Sequence, residues 1–377
     1  MNFGLSADQE LLQRTARDFL AAEWPPAAAH AVFDADHDGY PRKLYEQMAQ
    51  LGWLGLLAPV EFGGAGGTCL DAAVLAEELG RAAVPGPYLA NTLSILALRQ
   101  IGVASVRRQW LPLLAKGQAV VTLAWFEEDT AAWPFPLKAR GSVGRFGLRL
   151  NGTKRFVLDA HVADAFLVVC RLPAGRAQST AIVLVPREQA GVAVRPMNDV
   201  DRTRRPCEVV LNDVTVPRRS LLATGGQAEK LLARVQNAAA VLLAADCLGG
   251  AERLLEMAVE YAKVRRQFGR PIGSFQAVKH RCADMVAQIE PARSLVWYAA
   301  HAMDALPRQA AYAASLAKGH LSEVFSNVAE NALRVFGGIG FTWERDLHIW
   351  FKRAQWNRYA FGSPEWHRER VAQECRW

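Results

Sequence analysis

Closely spaced cysteines are missing from this sequence of 377 residues, and no CxxC pair occurs in it. The cysteines are instead scattered along the chain, at positions 69, 170, 207, 247, 282 and 375. Zinc sites and disulfide-rich folds both need cysteines in short, regular spacings. The scatter argues against a metal site and is typical of thiols that stay reduced, so we expect a cytoplasmic protein.

Long hydrophobic runs are missing as well. No window holds about 18 consecutive uncharged apolar residues, which is the length of a membrane-spanning helix. The first residues, MNFGLSADQELLQRTARDF, carry acidic residues early and have neither a basic start nor an apolar stretch. We therefore expect no membrane span and no signal peptide.

Runs of lysine and arginine interleaved with aromatic residues are also absent, although the formal net charge is +7. Such runs are typical of nucleic-acid surfaces, so the basic balance favours a membrane surface or small phosphate-bearing ligands instead. Hydrophobic and charged residues make up 51% and 21% of the chain, which is usual for a globular protein. Its length allows two or three packed units.

The pattern of apolar residues changes twice along the chain. Residues 1–117 show helical spacing, and Ser6 with Gln9 resembles a capping box before the first helix. Residues 118–223 contain short β-rich runs such as AFLVVCRL and TAIVLVP, with turn residues between them. Residues 224–377 return to helical spacing. We predict an α+β fold with an N-terminal helical domain, a central antiparallel β-barrel or sandwich, and a C-terminal helical bundle.

The densest group of charged residues lies in RRQFGRPIGSFQAVKHRCADM, residues 265–285. Arg265, Arg266 and Arg270 surround a turn that opens into a new helix. Guanidinium groups and helix N-termini both favour anions, which predicts a phosphate site. The alternative is a plain corner between two helices with exposed arginines, and the spacing alone leaves both open.

This stretch resembles the signature R-x-x-F-G-x-x-I-x-x-F-Q-x-x-K of the acyl-CoA dehydrogenase family. LRVFGGIGFTWERDLHIWFKRA, residues 333–354, resembles the second signature of that family. The order of helical, β and helical segments also matches, so the resemblance covers essentially the whole chain. It implies an N-terminal helical domain, a central β-barrel and a C-terminal four-helix bundle.

The resemblance also implies a reaction. Members of the family bind FAD and an acyl-CoA thioester, and a carboxylate removes the α-proton while the β-hydrogen leaves as hydride to the flavin. Each FAD lies at a dimer interface, where one subunit holds the flavin ring and its neighbour holds the ADP end. An acceptor resembling electron-transfer flavoprotein reoxidises the flavin. The C-terminal bundle would therefore carry the ADP side and the oligomer interface.

The residues that match the family at the ADP end are largely present. Arg265 and Phe268 match the pyrophosphate and adenosine side, Gln276 matches a residue near the adenine, and Gly337 and Gly338 match the glycines that let backbone approach the cofactor. One departure is Arg334, where the family usually has glutamine. The resemblance implies that this half of the FAD site is kept.

The residues that match the flavin-ring end differ more. Phe156 stands where the family has a tryptophan against the ring, and Leu158 stands where it has a hydroxyl near flavin N5. Leucine has no hydrogen-bond donor. The preceding family motif falls in LAWFEEDTAAWP, residues 123–134, which does not align residue by residue. The resemblance implies that ring contacts are lost.

A carboxylate is absent from both places where the family puts its base. The usual glutamate position falls on Phe361, before Gly362, and the alternate position falls near Ala239. Asp246 lies two turns after Ala239 in an apolar run, so it is either a structural partner of another group or an unusual base. Glu365 is the other nearby acid and is expected to be solvated.

A subset of the family resembles the chain more closely: the bacterial acyl-CoA dehydrogenase subunits that act on sterol side chains and other bulky acyl-CoAs. These often form α2β2 heterotetramers in which one chain type lacks the base. The resemblance implies a subunit for fatty acid or sterol degradation that needs a base-bearing partner. Two alternatives stay open: a self-sufficient homo-oligomeric dehydrogenase with Asp246 as base, and a non-catalytic acyl-CoA-binding or scaffold protein.

Overall fold

The computed structural model describes residues 4–34, 40–128, 134–145, 147–174 and 177–376. The chain divides into two compact units. One comprises Met1–Ala35, Cys69–Val84 and Ala240–Trp377, and the other comprises Asp36–Thr68 and Pro85–Ala239. Each unit is described by itself below.

Eleven α-helices occur in the described residues: α1 (Ala7–Glu23), α2 (Pro26–Asp34), α3 (Arg42–Gln50), α4 (Cys69–Arg81), α5 (Tyr88–Leu98), α6 (Ala104–Ala115), α7 (Gly225–Val264), α8 (Gln276–Ala305), α9 (Ala310–Phe336), α10 (Leu347–Tyr359) and α11 (Pro364–Glu374). The predicted capping box is confirmed at the start of α1. The Gln9 backbone N–H donates to Ser6 Oγ at 3.3 Å, and the Ser6 N–H donates to Gln9 Oε1 at 2.9 Å. Both bonds satisfy backbone donors that a helix start otherwise leaves free.

The sheet belongs to the second unit. Its strands are β1 (Val121–Ala124), β2 (Arg140–Val143), β3 (Leu148–Leu158), β4 (Ala165–Ala174), β5 (Ala177–Pro186), β6 (Val192–Pro196), β7 (Pro206–Val216) and β8 (Leu221–Thr224). Seven of them follow the order β6-β7-β3-β2-β4-β5-β8, and β1 pairs with β4. Most pairs are antiparallel, as expected, but β4 pairs in parallel with both β1 and β2. The buried face is rich in valine and leucine, which suits a pleated surface.

The order of helices, sheet and helices confirms the predicted fold class. Helix α6 ends at Ala115, β1 begins at Val121, and α7 begins at Gly225. The limits of three separate domains at residues 117 and 223 stay a prediction.

Helix α7 is long and apolar enough, by length and composition alone, to cross a membrane. However, 89% of its apolar window is buried inside the protein. Burial of this kind is what a core helix requires, since a helix that is apolar all round must be covered on every side.

Helices α4 and α7 cross within the first unit with their backbones in contact. A Cβ atom added to Gly249 would overlap the Glu77 carbonyl oxygen, and one added to Gly80 would overlap the Asp246 backbone. Only glycine permits this approach. The crossing fixes the part of α7 that carries Asp246.

Candidate functional site

The arginine-rich turn is a small hairpin rather than a plain corner between helices. After α7 ends, β9 (Arg266–Gln267) pairs antiparallel with β10 (Arg270–Pro271), and Phe268 and Gly269 form the tip with φ of 51° and 78°. Phe268 is 91% exposed, and Arg265 and Gln276 are exposed beside it. An exposed aromatic ring next to guanidinium groups offers a stacking surface and an anion contact on one face.

Two of the arginines at this hairpin have local partners. The Arg266 side chain donates to the Gly269 carbonyl at 3.4 Å, and the Arg270 guanidinium lies over the Phe275 ring at 4.2 Å. These contacts stabilise the hairpin and hold Arg270 in place.

The glycine pair of the second signature lies at the end of α9. Phe336, the last residue of α9, stacks on Tyr261 of α7 with ring centroids 4.3 Å apart, which holds the two helix ends together. Gly337 follows with φ 67° and ψ −147°, a backbone conformation that residues with a side chain rarely adopt. Arg334 is exposed and pairs with Glu330 at 3.4 Å. An uncovered glycine backbone near exposed arginines fits the ADP end of a dinucleotide.

The residues expected near the flavin ring lie at the end of β3. Phe156 sits at a break in the β3–β7 register, with φ of 54°, and is half-buried under the Arg155 guanidinium at 5.5 Å. Leu158 is buried. Phe156 can still pack against a flat ring, but the aliphatic Leu158 side chain supplies no hydrogen bond. This end of the site fits a flavin less well than the ADP end.

The segment that did not align is partly described. Residues 129–133 lie outside the described residues, whereas Phe126 accepts a backbone hydrogen bond from Arg155 at 2.9 Å. Beside it, Lys154 Nζ donates to Glu127 Oε1 at 2.5 Å and to the Trp125 carbonyl at 3.1 Å. Burial lowers the pKa of Lys154, and the charge of Glu127 opposes that shift. This buried ion pair was not predicted from the sequence, although Lys154 falls in step with the alternating apolar residues at the start of strand β3, which was a signal for it.

Phe361 occupies a constrained turn between α10 and α11. It has a φ of 57°, and Gly362 follows with a φ of 111°. A bulky residue in the left-handed region costs on the order of 1–3 kcal/mol. Phe361 is buried, and Ser363 caps α11 by accepting from the Trp366 N–H at 3.3 Å. The turn therefore has a defined shape, with an aromatic ring in place of a carboxylate.

Two buried side chains, Lys318 and His367, form hydrogen bonds with the backbone of this turn. Lys318 Nζ donates to Ser322 Oγ at 2.9 Å, to the Asn357 carbonyl at 2.7 Å and to the Gly362 carbonyl at 3.3 Å. His367 Nε2 lies 3.1 Å from the Phe361 carbonyl oxygen. Burial lowers the pKa of Lys318 to about 8 and that of His367 to about 2. His367 is therefore neutral at pH 7 and donates through Nε2.

Asp246 is locked into a buried ion pair. Arg353 Nε donates to Oδ1 at 2.9 Å, and Arg353 Nη2 donates to Oδ2 at 2.5 Å. Asn357 Nδ2 adds a bond to Oδ1 at 2.7 Å. Arg353 also donates to the Val84 carbonyl at 3.2 Å, and its side chain is 1% exposed. A carboxylate with both oxygens engaged by a guanidinium is a poor proton acceptor, so this geometry favours the structural interpretation of Asp246.

The other positions considered for a base offer no buried free acid. Ala239 is fully buried in α7 and has only a methyl group. Glu365 is exposed in the first turn of α11 and lies 3.3 Å from Arg368. Its pKa is lowered by hydrogen bonds from its own backbone N–H and from Ser363.

Asp159 is a buried acid that the sequence analysis did not select. It directly follows Leu158, has a φ of 51° and is 5% exposed. Burial raises the pKa of Asp159 to about 7, although Arg204 and Arg205 act in the opposite direction. An acid at the end of an apolar strand was the available signal, but aspartate is also common at left-handed turn positions.

Comparison with known proteins covers nearly the whole chain. The N-terminal, middle and C-terminal domain models of acyl-CoA dehydrogenase match residues 6–118, 137–214 and 232–375. Acyl-CoA dehydrogenase IpdE2 of Mycobacterium tuberculosis is 36% identical over 358 residues, which are 95% of this chain and 94% of that protein.

Solved structures agree with this assignment. A chain of the ChsE4-ChsE5 complex from Mycobacterium tuberculosis has a TM-score of 0.89 and 26% identity, covering 100% of this chain and 99% of its own. A variant of the steroid ACAD Tcur3481-Tcur3483 has a TM-score of 0.85 and 28% identity, covering 98% of each chain. This chain belongs to the acyl-CoA dehydrogenase family.

Proposed function

We propose that this chain is a subunit of an FAD-dependent acyl-CoA dehydrogenase that relies on a partner chain for its catalytic base. The observation that carries the proposal is Phe361, which occupies the turn where the resemblance places the glutamate. A phenyl ring cannot accept the α-proton of a thioester. Lys318 and His367 bond to the backbone of the turn, so the turn keeps a defined shape although it carries no carboxylate at position 361.

Asp246 does not replace the missing base in this proposal. Removing the α-proton needs a carboxylate within hydrogen-bond reach of the substrate and free to accept a proton. Both oxygens of Asp246 are instead bonded to Arg353, and Asn357 adds a third donor. We infer that the ion pair of Asp246 and Arg353 stabilises the helical bundle.

FAD is the cofactor of this family, and it supplies the acceptor for the hydride that leaves the β-carbon. In this chain the residues that would hold it are Arg265, Phe268, Gln276, Gly337 and Gly338, with Arg334 at the edge. Their exposure suits a cofactor shared with a second subunit, since an ADP moiety there would remain uncovered until another chain packs over it.

The flavin-ring end is less complete in this chain. Phe156 offers only apolar contact to a flavin ring, and Leu158 offers no hydrogen bond.

The relatives support a proposal for the partner and for the substrate class. ChsE4-ChsE5 is a complex of two named proteins, and Tcur3481-Tcur3483 is a steroid dehydrogenase. We assign to this chain an α2β2 assembly with a base-bearing subunit and a bulky acyl-CoA such as a steroid-derived one. The two electrons would then pass to an acceptor of the electron-transfer flavoprotein type.

Purification of the chain alone and together with a base-bearing subunit tests the proposal. The mixed complex should contain about one FAD per two chains, by absorbance near 450 nm, and should oxidise a bulky acyl-CoA. The chain alone should contain no FAD and should not oxidise the acyl-CoA. A yellow, active homo-oligomer of this chain alone would contradict the need for a partner.

A further inference from the structure

A cavity of about 230 Å³ lies in the first unit, apart from the hairpin and from the Phe361 turn. Its walls come from the second half of α1, the α1–α2 junction, the end of α4, and one residue each of α7 and α10. The volume is below the roughly 300–1,000 Å³ of sites for drug-sized ligands, so an occupant has on the order of ten heavy atoms.

The floor of this cavity is apolar. It is formed by Leu20, Trp24 and Trp350, all of them buried. Their hydrogen-bonding groups are already used: Trp24 Nε1 donates to the Ala82 carbonyl at 3.2 Å, and Trp350 Nε1 donates to the Arg81 carbonyl at 3.1 Å. The floor therefore favours a hydrocarbon group and offers it no polar partner.

The indole bonds have a second effect. The carbonyl groups that they cap lie at the C-terminal end of α4, which is the negative end of that helix. Capping those carbonyls weakens their repulsion of an anion in the cavity.

The rim is positively charged. The described lining contains three arginines, Arg17, Arg81 and Arg253, and one carboxylate, Glu78. Arg17 neutralises Glu78 through a bidentate contact of 3.0 and 2.7 Å. The guanidinium groups of Arg81 and Arg253 are therefore the two at the rim that have no carboxylate partner within the described lining.

Arg81 and Arg253 share a single carboxylate from outside the lining. Arg81 Nη2 bonds Glu256 Oε2, and Arg253 Nη1 lies 3.5 Å from the same oxygen. The two other glutamates of this region, Glu77 and Glu252, are both bonded to Arg293. The four arginines and four glutamates of this region balance in number, but they are unevenly placed: Arg81 and Arg253 share one carboxylate at the rim, whereas both carboxylates bonded to Arg293 lie outside the lining. Arg253, with its long contact and 25% exposed side chain, is therefore where an anion would bind.

We propose that this cavity binds a small organic carboxylate, with its apolar body on the Leu20, Trp24 and Trp350 floor and its carboxylate on Arg253 and Arg81. Its described lining contains none of the residues that we assign to the cofactor or to the Phe361 turn. The site would let the level of a free carboxylic acid stabilise the helices around it.

Calorimetric titration of the full chain with benzoate tests this site, with benzyl alcohol as an uncharged aromatic probe of similar size. We expect benzoate to bind saturably at one site with a Kd on the order of 1 mM, and benzyl alcohol to bind about tenfold more weakly. The variant Arg253→Gln should weaken benzoate about tenfold and leave benzyl alcohol unchanged. The exposed Arg308, away from the lining, gives a matched control, and Arg308→Gln should bind benzoate as the wild type does.

A second variant keeps the test decisive if Arg253→Gln does not fold. Ala21 lies in the lining and is exposed on α1, so Ala21→Trp fills the cavity from its mouth without disturbing the core. It should abolish benzoate binding while the melting temperature stays unchanged. Equal binding of the two probes, or unchanged benzoate binding by Ala21→Trp, would overturn the proposal. Neither result would bear on the need for a base-bearing partner.

Discussion

The hydrogen-bond partners of the buried Asp246 indicate whether its role is structural or catalytic. Its carboxylate lies among apolar side chains of α7, where an unpaired charge would be costly. Arg353 and Asn357 of α10 satisfy it, so the three side chains tie α7 to α10. The same contacts that stabilise the helices remove the basicity that catalysis would need.

Asp246→Asn separates the structural role from the catalytic one. The substitution keeps the shape but leaves the Arg353 charge buried without its counterion, so we expect the free energy of unfolding to fall by about 3 kcal/mol. Urea denaturation measures this loss. Turnover of the mixed complex, corrected for folded protein, should be unchanged. If the mixed complex that contains folded Asp246→Asn protein retains FAD but has no turnover, the structural assignment of Asp246 is wrong and Asp246 acts as the base.

The buried Lys318 leads us to expect that the free energy of unfolding depends on pH. Its pKa is about 8 in the folded protein against an ordinary value of 10.5, so between these values the unfolded chain binds a proton that the folded chain does not. Stability from this group therefore rises as pH rises from 8 to 10.5, by about 3 kcal/mol in total.

Lys318→Met removes this titration. The stability of the wild type minus that of Lys318→Met should increase with pH across this window, measured by urea denaturation at several pH values. Lys279→Met, at an exposed position of α8, is the control for replacing a lysine by methionine and is measured at the same pH values. A difference between the wild type and Lys318→Met that stays constant with pH would show that Lys318 keeps its ordinary pKa.

At the scale of elements, the α4–α7 crossing depends on glycine. A methyl group on Gly249 would overlap the Glu77 carbonyl, which belongs to the backbone and cannot rotate away. We expect Gly249→Ala to lower the free energy of unfolding by about 3 kcal/mol, or to prevent folding. Gly226, in the first turn of the same helix, has open space around it. Gly226→Ala should be neutral or stabilise by up to about 1 kcal/mol, and equal effects of the two variants would contradict the close crossing.

Local patterns were enough to predict most elements. The capping box at Ser6, the β-rich runs and the return to helical spacing after residue 223 each depend on neighbours in the sequence, and the structure has all three. The hairpin at residues 266–271 was not predicted, because Gly269 and Pro271 indicate a break without indicating strand pairing. The signature around it matched Arg265, Phe268 and Gln276 to the ADP end as a group, and all three are exposed in the structure.

Long-range contacts set the limit of prediction at the site. Arg353 is 107 residues from Asp246, and Gly362 is 44 residues from Lys318. No spacing rule connects such pairs, because only the packing of α7, α9 and α10 brings them together. The sequence could therefore show that Phe361 is not an acid, but not that a lysine and a histidine hold its turn.

At the scale of the whole molecule, exposure of the hairpin is the feature on which the proposed partner chain depends. Phe268, at the tip of the hairpin, is 91% exposed, which is unusual for a large apolar side chain. Arg265, which directly precedes the hairpin, is exposed as well. If this face binds the ADP end of a flavin whose ring is held by the partner, a charge lost here should weaken cofactor binding without weakening the fold.

Arg265→Gln tests that arrangement in the mixed complex. Removing one guanidinium from a phosphate should cost about 1.5–3 kcal/mol, which is more than tenfold in FAD affinity. We expect flavin absorbance after gel filtration to fall while the melting temperature of the isolated chain stays within about 1 °C of the wild type. Arg308→Gln, also an exposed arginine of the first unit, should retain flavin fully. Full retention by Arg265→Gln would place the ADP end elsewhere, because an exposed arginine that makes no phosphate contact contributes little to cofactor affinity.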